Sequence, residues 1–178
     1  AEIDLPSNVD VHSQQVYDKA KENLDWLVDK GYMFQDEEPC YYIYRLVMEG
    51  RAQTGIICGS SLDDYFNGII KKHEFTRPEK ELDRINHIKT TRAQTGVVFL
   101  ACNDNEDMDS IIEEWKSTHE PEYDFTAEDG VQHTLWVVDD YAKVATLTRI
   151  FQEEIPATYI ADGHHRAASA AKVAIEMR

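Results

Sequence analysis

The sequence has 178 residues, of which 42% are hydrophobic, so the chain is long enough to bury one sizeable core. Its 34 acidic and 18 basic residues give a formal net charge of -16, which argues against nucleic acid and an anionic membrane surface as partners. No apolar run approaches the length of a membrane span, and we expect a soluble, cytoplasmic protein that binds anions through local groups.

The length predicts a single main domain over residues 1–178. The sequence lacks an initiator methionine and stops inside a helical pattern, which predicts a fragment of a longer chain. Cys40, Cys58 and Cys102 are far apart and lie in or beside apolar runs. This spacing favours buried thiols over a disulfide framework or a zinc site.

The first half of the chain predicts helices around a β-hairpin. Apolar residues recur at helical spacing before Gly31, and Glu49-Gly50 separates two β-prone runs. Ser61 resembles a helix N-cap, and Pro78 suits a first helical turn. The predicted elements are a helix from Ser13 to Lys30, strands Tyr41–Met48 and Thr54–Cys58, a helix from Ser61 to Ile70 and a helix from Pro78 to Lys89.

The second half alternates strands and helices. Asp129-Gly130 is a turn dipeptide between two β-prone runs. The predicted elements are a buried strand Val97–Ala101, a helix Asp109–His119 with Ile111, Ile112 and Trp115 inward, strands Glu122–Ala127 and Thr134–Val138, a helix Asp140–Glu154, a strand Ala157–Ala161 and a helix Arg166–Ile175. The fold class is therefore α/β or α+β with a mixed β-sheet flanked by helices, and no Gly-rich dinucleotide or Walker motif is present.

One pentapeptide occurs twice, as Arg51–Gly55 and as Arg92–Gly96, each time before an apolar strand. Five residues are too few to establish duplication, and no third copy follows at the same spacing. We interpret the repeat as coincidence or as a shared solution to a turn.

The polar turn from Asp162 to Arg166 is the strongest candidate for a functional site. At a junction between strand and helix, free N–H groups and the helix dipole favour an anion, and Gly163 permits close backbone approach. Arg166 offers a planar fork for phosphate oxygens, and His164 and His165 offer donors or proton-transfer groups. Asp162 can hold a cation, act as a base or simply cap the helix. Zinc is a weaker alternative, because adjacent histidines in a loop rarely point at one metal.

A second cluster covers residues 71–87, where basic side chains are concentrated. Lys80, Arg84 and His87 have spacings that can share one helix face and so meet a polyphosphate. Glu74 is the carboxylate placed to accept a hydroxyl proton or to join a metal shell.

The same cluster also fits a solvated helix face without a ligand. In that interpretation Glu81 pairs with Arg84 and Asp83 pairs with His87, and each exposed pair contributes little stability.

Three motifs together resemble domain of unknown function family 1015. They are Ala161–Arg166 with the Ala-rich helix that follows, His73–Thr76, and Lys80–Arg84. Members of that family are typically longer on both sides, which agrees with a fragment. The Asp-Gly-His-His-Arg signature is also similar to the phosphate-binding motif of the ParB/sulfiredoxin-like superfamily, which includes free serine kinases.

The resemblance implies a ParB/sulfiredoxin-like element in the C-terminal part and a phosphotransferase activity. The donor would be ATP, ADP or pyrophosphate, and the acceptor a small hydroxylated metabolite, with free serine as the candidate. Mg²⁺ would bind near Asp162. The implied catalytic residues are Glu74, Asp162 and His165, and the implied phosphate-binding residues are Gly163, His164, Arg166, Thr76, Lys80 and Arg84.

Two other functions remain open at this point. A nucleotide-binding switch module, as in the ParB branch, would bind the donor without transferring phosphate. A metal-dependent phosphoesterase would use the histidine pair and would carry a transition metal.

Overall fold

The computed structural model describes residues 4–178, which form six helices and seven strands. The helices are α1 (Gln14–Asp29), α2 (Leu62–Phe66), α3 (Pro78–Thr91), α4 (Glu106–Thr118), α5 (Tyr141–Glu153) and α6 (His164–Met177). The strands are β1 (Tyr41–Met48), β2 (Arg51–Ile57), β3 (Ile70–Lys71), β4 (Phe99–Ala101), β5 (Tyr123–Thr126), β6 (Gln132–Val138) and β7 (Thr158–Asp162). The strands form two sheets, one of them mixed, so the predicted α+β class is confirmed.

The described residues divide into two compact units, each built from separated stretches of sequence. The first unit contains the chain up to Gln35, residues 61–101 and residues 157–178. The second unit contains residues 36–60 and 102–156. The chain therefore leaves the first unit twice and returns to it twice.

The second unit is an antiparallel sheet in the order β2-β1-β6-β5, with α4 and α5 supplying the rest of its core. Ile43 of β1 is opposite Trp136 of β6, and both side chains are buried. The Trp115 indole N–H donates to the carbonyl oxygen of Val137 at 3.0 Å, which ties α4 to the sheet. Leu147 of α5 is fully buried in the same cluster. The predicted inward face of α4 is confirmed.

The first unit has a short mixed sheet in the order β3-β7-β4. β3 is parallel to the central strand β7, and β4 is antiparallel to it. Ile160 of β7 is 1% exposed, because both edges and one face of its strand are covered. α3 packs beside α6, where the buried Ser169 hydroxyl lies 2.7 Å from the carbonyl oxygen of His165 and 3.3 Å from that of Glu81. The chain thus passes directly from the central strand into a helix held by α3.

Two predicted elements differ from the structure in more than the position of their ends. α2 ends at Phe66, and Ile70 belongs to β3, because Gly68 adopts a positive φ of 72° and turns the chain between them. The strand predicted from Val97 begins at Phe99 and is not buried; the side chain of Val97 is 65% exposed. β4 lies at the edge of its sheet, which leaves one side open to solvent.

The prediction for the cysteines needs correction, and the structure removes one of the two interpretations of the repeat. Cys58 and Cys102 are exposed and Cys40 is partly exposed, and all three are free thiols. The first pentapeptide lies within β2, whereas the second begins at Arg92, which ends α3 with a φ of 57°. The two copies have different conformations, so they do not share a turn.

Within residues 4–178, none of the helices combines the length and apolarity needed to cross a bilayer.

Candidate functional site

The polar turn is sharper than the sequence predicts. β7 continues through Asp162, and α6 begins at His164, so Gly163 alone connects strand to helix. Its φ of 98° lies in a region that residues other than glycine strongly avoid, which explains how one residue makes the turn. His164, His165 and Arg166 therefore belong to the first helical turn, not to a loop.

The start of α6 has the properties of an anion-binding site. Gly163 has no side chain to cap the helix, and its carbonyl oxygen accepts the N–H of Ala167 at 2.9 Å. The N–H groups of the first turn have no acceptor within the helix, and the helix dipole places partial positive charge there. An anion in front of this turn would satisfy both.

Arg166 lies across the glycine backbone at the turn. Its Nη2 atom donates to the Asp162 carboxylate at 2.7 Å, and a Cβ atom added to Gly163 would lie 2.8 Å from that same nitrogen. A Cβ added to Gly96 would lie 3.2 Å from the Arg166 Cδ atom. Two glycines thus make room for this arginine. Its Nε atom is buried and, among the described residues, has no hydrogen-bond partner.

The turn opens into a cleft of about 620 Å³ within the first unit. Lys80 and Arg84, one helical turn apart on α3, line the same cleft as Arg166. The cleft holds four basic and four acidic side chains, so it is locally neutral in a protein of net charge -16. Its lining comprises His12, Glu74, Arg77, Glu79, Lys80, Asp83, Arg84 and residues 161–166.

Two predicted residues are placed elsewhere. The Thr76 hydroxyl donates to the carboxylate of Glu81, and Thr76 does not line the cleft. His87 is also outside the lining, and partial burial together with Arg84 lowers its pKa. The alternative ion pairs along α3 are wrong as well, because Glu81 pairs with Lys172 of α6 and Asp83 with His12 at 3.0 Å.

Glu74 approaches the start of α6 from a distant part of the sequence. Its Oε2 atom lies 3.5 Å from the Nδ1 atom of His164, whose side chain is only 4% exposed. The His73 backbone N–H lies 3.5 Å from the Nε2 atom of the same ring, and the His73 and His164 rings pack edge to face at 4.4 Å. His73, Glu74 and His164 thereby form a group whose ligand atoms lie within 4.8 Å of one another. Asp162, the predicted metal ligand, is not part of this group.

His165 is held by the segment that precedes α3. Its Nε2 atom accepts the backbone N–H of Arg77 at 3.1 Å, which places the ring proton on Nδ1 in the neutral form. The ring is at the cleft wall, so His165 can donate a hydrogen bond from Nδ1 to a ligand.

The buried carboxylate of Glu81 connects α3 to α6, two helices that contribute to the lining of the cleft. The side chain of Glu81 is 6% exposed and accepts hydrogen bonds from Thr76 and from Lys172. Burial alone raises the pKa of Glu81, but these hydrogen bonds outweigh burial and hold the pKa below its usual value. The charged form of Glu81 therefore stabilises the packing of α3 against α6.

We expect Glu81→Gln to lower the free energy of unfolding at neutral pH and to reduce its dependence on pH in acid. A carboxyl with a lowered pKa contributes its full stability above the unfolded pKa of about 4.3 and loses it as the pH falls through the folded value. Urea unfolding between about pH 6 and pH 3 should show the gap between the two proteins closing as the pH falls. Glu79→Gln, which changes an exposed carboxylate on the same helix, should keep the original profile. A constant gap at every pH would contradict this role for Glu81.

The structure adds residues that the sequence motifs did not single out. His12 and Glu79 were not predicted, and Arg77 and Asp83 were in the predicted cluster without a role. His12 comes from the segment before α1, and nothing in its local sequence indicates a pairing with α3. His73 directly precedes Glu74, which was predicted as a site residue. Two adjacent side chains that can both bind a metal were the sequence feature from which the metal group could have been predicted.

Comparison with curated proteins and with solved structures finds no match. A family model does match residues 1–178, and its description is a protein of unknown function, DUF1015. The matched range contains the turn, the cleft and Glu74. The chain therefore belongs to the DUF1015 family.

Proposed function

We propose that this protein is a phosphotransferase that moves a phosphoryl group from ATP, ADP or pyrophosphate to the hydroxyl group of a small metabolite, with free serine as the first candidate. One observation carries the proposal. The Glu74 carboxylate lies 3.5 Å from His164, the first residue of the helix that offers the anion site. A possible proton acceptor and a possible phosphate site, 90 residues apart in sequence, thus share one cleft.

The donor side of the cleft is built from backbone and cationic groups. The first turn of α6 presents N–H groups and the positive end of its dipole to a phosphate oxygen. Arg166, Lys80 and Arg84 add positive charge to the lining of the same cleft. Phosphoryl transfer depends mainly on positioning and on neutralising charge, and these groups supply both.

The acceptor side is Glu74, whose side chain is 60% exposed and so accessible to a small molecule. In the proposed reaction its carboxylate takes the proton from the acceptor hydroxyl. The hydroxyl oxygen then forms a bond to the terminal phosphorus of the donor, and the bond to the leaving phosphate oxygen breaks. The products are a phosphate monoester and the shortened donor.

Asp162 fits the proposed role of binding Mg²⁺. One Asp162 oxygen pairs with Arg166, and the 74% exposed side chain leaves the other available. Mg²⁺ commonly binds through one or two carboxylates plus substrate phosphates, where it neutralises charge on the donor. The similarity of the Asp-Gly-His-His-Arg signature to free serine kinases supports serine as the first acceptor to test.

The test is to incubate the purified protein with serine and each donor in turn and to measure phosphoserine. We expect phosphoserine with at least one donor. Absence of turnover with every donor, with circular dichroism showing a folded protein, would contradict serine kinase activity. Donor binding without turnover would favour the switch module, and release of inorganic phosphate alone would favour the phosphoesterase.

A further inference from the structure

The group formed by His73, Glu74 and His164 has a chemistry of its own. Each residue offers one potential ligand atom, and the three atoms lie within 4.8 Å of one another. We propose that these residues bind one divalent transition metal ion of the Zn²⁺ class. The site goes beyond phosphoryl transfer, since it requires neither a donor nor an acceptor.

The separation between the His164 Nδ1 atom and the Glu74 Oε2 atom points to a shared ion. It is 3.5 Å, longer than the about 2.7–2.9 Å of a charge-assisted hydrogen bond. Two tetrahedral ligands that are each about 2.1 Å from zinc lie about 3.4 Å apart. The separation of the two atoms therefore matches that of two ligands of one ion.

The ligand types select the kind of metal. Two imidazoles and one carboxylate form a set that suits zinc and other transition metals, whereas Mg²⁺ and Ca²⁺ prefer oxygen ligands. Three protein ligands also leave a coordination position for water or an anion. The ring of His164 is buried and therefore fixed, while Glu74 and His73 are exposed and give the ion access.

Metal binding requires local adjustments, because the three ligand atoms, which lie within 4.8 Å of one another, must close to about 3.4 Å. Coordination at the Nδ1 atom of His164 leaves the ring proton on Nε2, where the His73 backbone N–H lies 3.5 Å away. Two donors would then face each other, so the peptide of His73 shifts as the ion binds. That contact is at the limit of hydrogen-bond length, and losing it costs little. Since the ion occupies the carboxylate proposed to accept the hydroxyl proton, a bound Zn²⁺ blocks that role of Glu74.

The test is calorimetric titration of the intact protein with Zn²⁺ after treatment with a chelator. We expect one equivalent to bind, and His73→Ala and Glu74→Gln each to weaken the affinity by about tenfold or more. Excess Mg²⁺ should leave the Zn²⁺ affinity unchanged. His12→Ala is the matched control, because His12 is an exposed histidine of the same cleft and is outside the group. The His12→Ala variant should bind Zn²⁺ with the original affinity.

Both test variants change exposed side chains, so the protein should remain folded, which circular dichroism can verify. Three results would overturn the proposal. The first is the absence of saturable Zn²⁺ binding. The second is a Zn²⁺ affinity of the His73→Ala and Glu74→Gln variants equal to that of the original protein, and the third is displacement of Zn²⁺ by excess Mg²⁺.

Discussion

Glu74→Gln should abolish most of the proposed phosphoryl transfer while leaving donor binding intact. The amide has nearly the shape of the carboxylate but cannot accept the hydroxyl proton, and loss of a general base typically lowers kcat by about 10²–10⁴-fold. The donor site at the start of α6 does not use this side chain, so the Kd for the donor should stay close to the original value. Steady-state phosphoserine formation and calorimetry with the donor measure the two quantities separately.

A matched control is Glu128→Gln, which makes the same chemical change at an exposed position of the second unit. It should retain kcat and donor affinity. If Glu74→Gln turned over at the original rate, Glu74 would not be the base. If it bound the donor much more weakly, the carboxylate would belong to the donor site instead.

Gly163→Ala should weaken donor binding by about tenfold or more and lower the free energy of unfolding by about 1–3 kcal/mol. The added Cβ atom would lie 2.8 Å from the Nη2 atom of Arg166, so the guanidinium must shift away from the turn. Hydrogen bonds to a charged group contribute about 1.5–3 kcal/mol each, which accounts for the loss of affinity. The φ of 98° adds strain for any residue with a side chain. Calorimetry with ADP or pyrophosphate and urea unfolding measure the two effects.

Gly130→Ala separates backbone strain from displacement of the arginine. Gly130 has a similar φ of 82°, and an added Cβ atom would meet nothing within 4 Å. This control should lose stability and bind the donor normally. Equal loss of donor affinity in both variants, or normal affinity in Gly163→Ala, would show that the position of Arg166 does not determine binding.

Local sequence patterns were sufficient to predict most helices and hairpins. The buried face of α4 follows from helical spacing of Ile111, Ile112 and Trp115, and all three are buried. Asp129-Gly130 correctly marked the turn between β5 and β6, where Gly130 has a positive φ. In each case the signal comes from residues that are neighbours in sequence, so tertiary context is not needed to interpret it.

The sequence predicted the position of the turn at Gly163 correctly, but not the residue at which the following helix begins. Histidine is a modest helix former, and a run of five polar residues resembles a loop. The structure places His164 and His165 inside the helix because Gly163 makes the whole turn and because His164 is buried. Burial of this ring depends on residues around position 73, which local propensity cannot include.

The partners of the charged residues were the least predictable part. Glu81 looks like a surface carboxylate on a charged helix, with Arg84 as its natural neighbour. In the structure it is buried, and Lys172, 91 residues away, satisfies it. A pairing at that distance in sequence is decided by the packing of α3 against α6, which has no signature in either segment alone.

The pairing of β4 with β7 determines where changes in chain length can be accommodated. Ala101, the last residue of β4, is opposite Tyr159 of β7, so residues 102–156 leave and re-enter the first unit at adjacent points. Because this strand pair holds both ends of the excursion, insertions at its exposed turn Asp129-Gly130 should leave the distance between Glu74 and His164 unchanged.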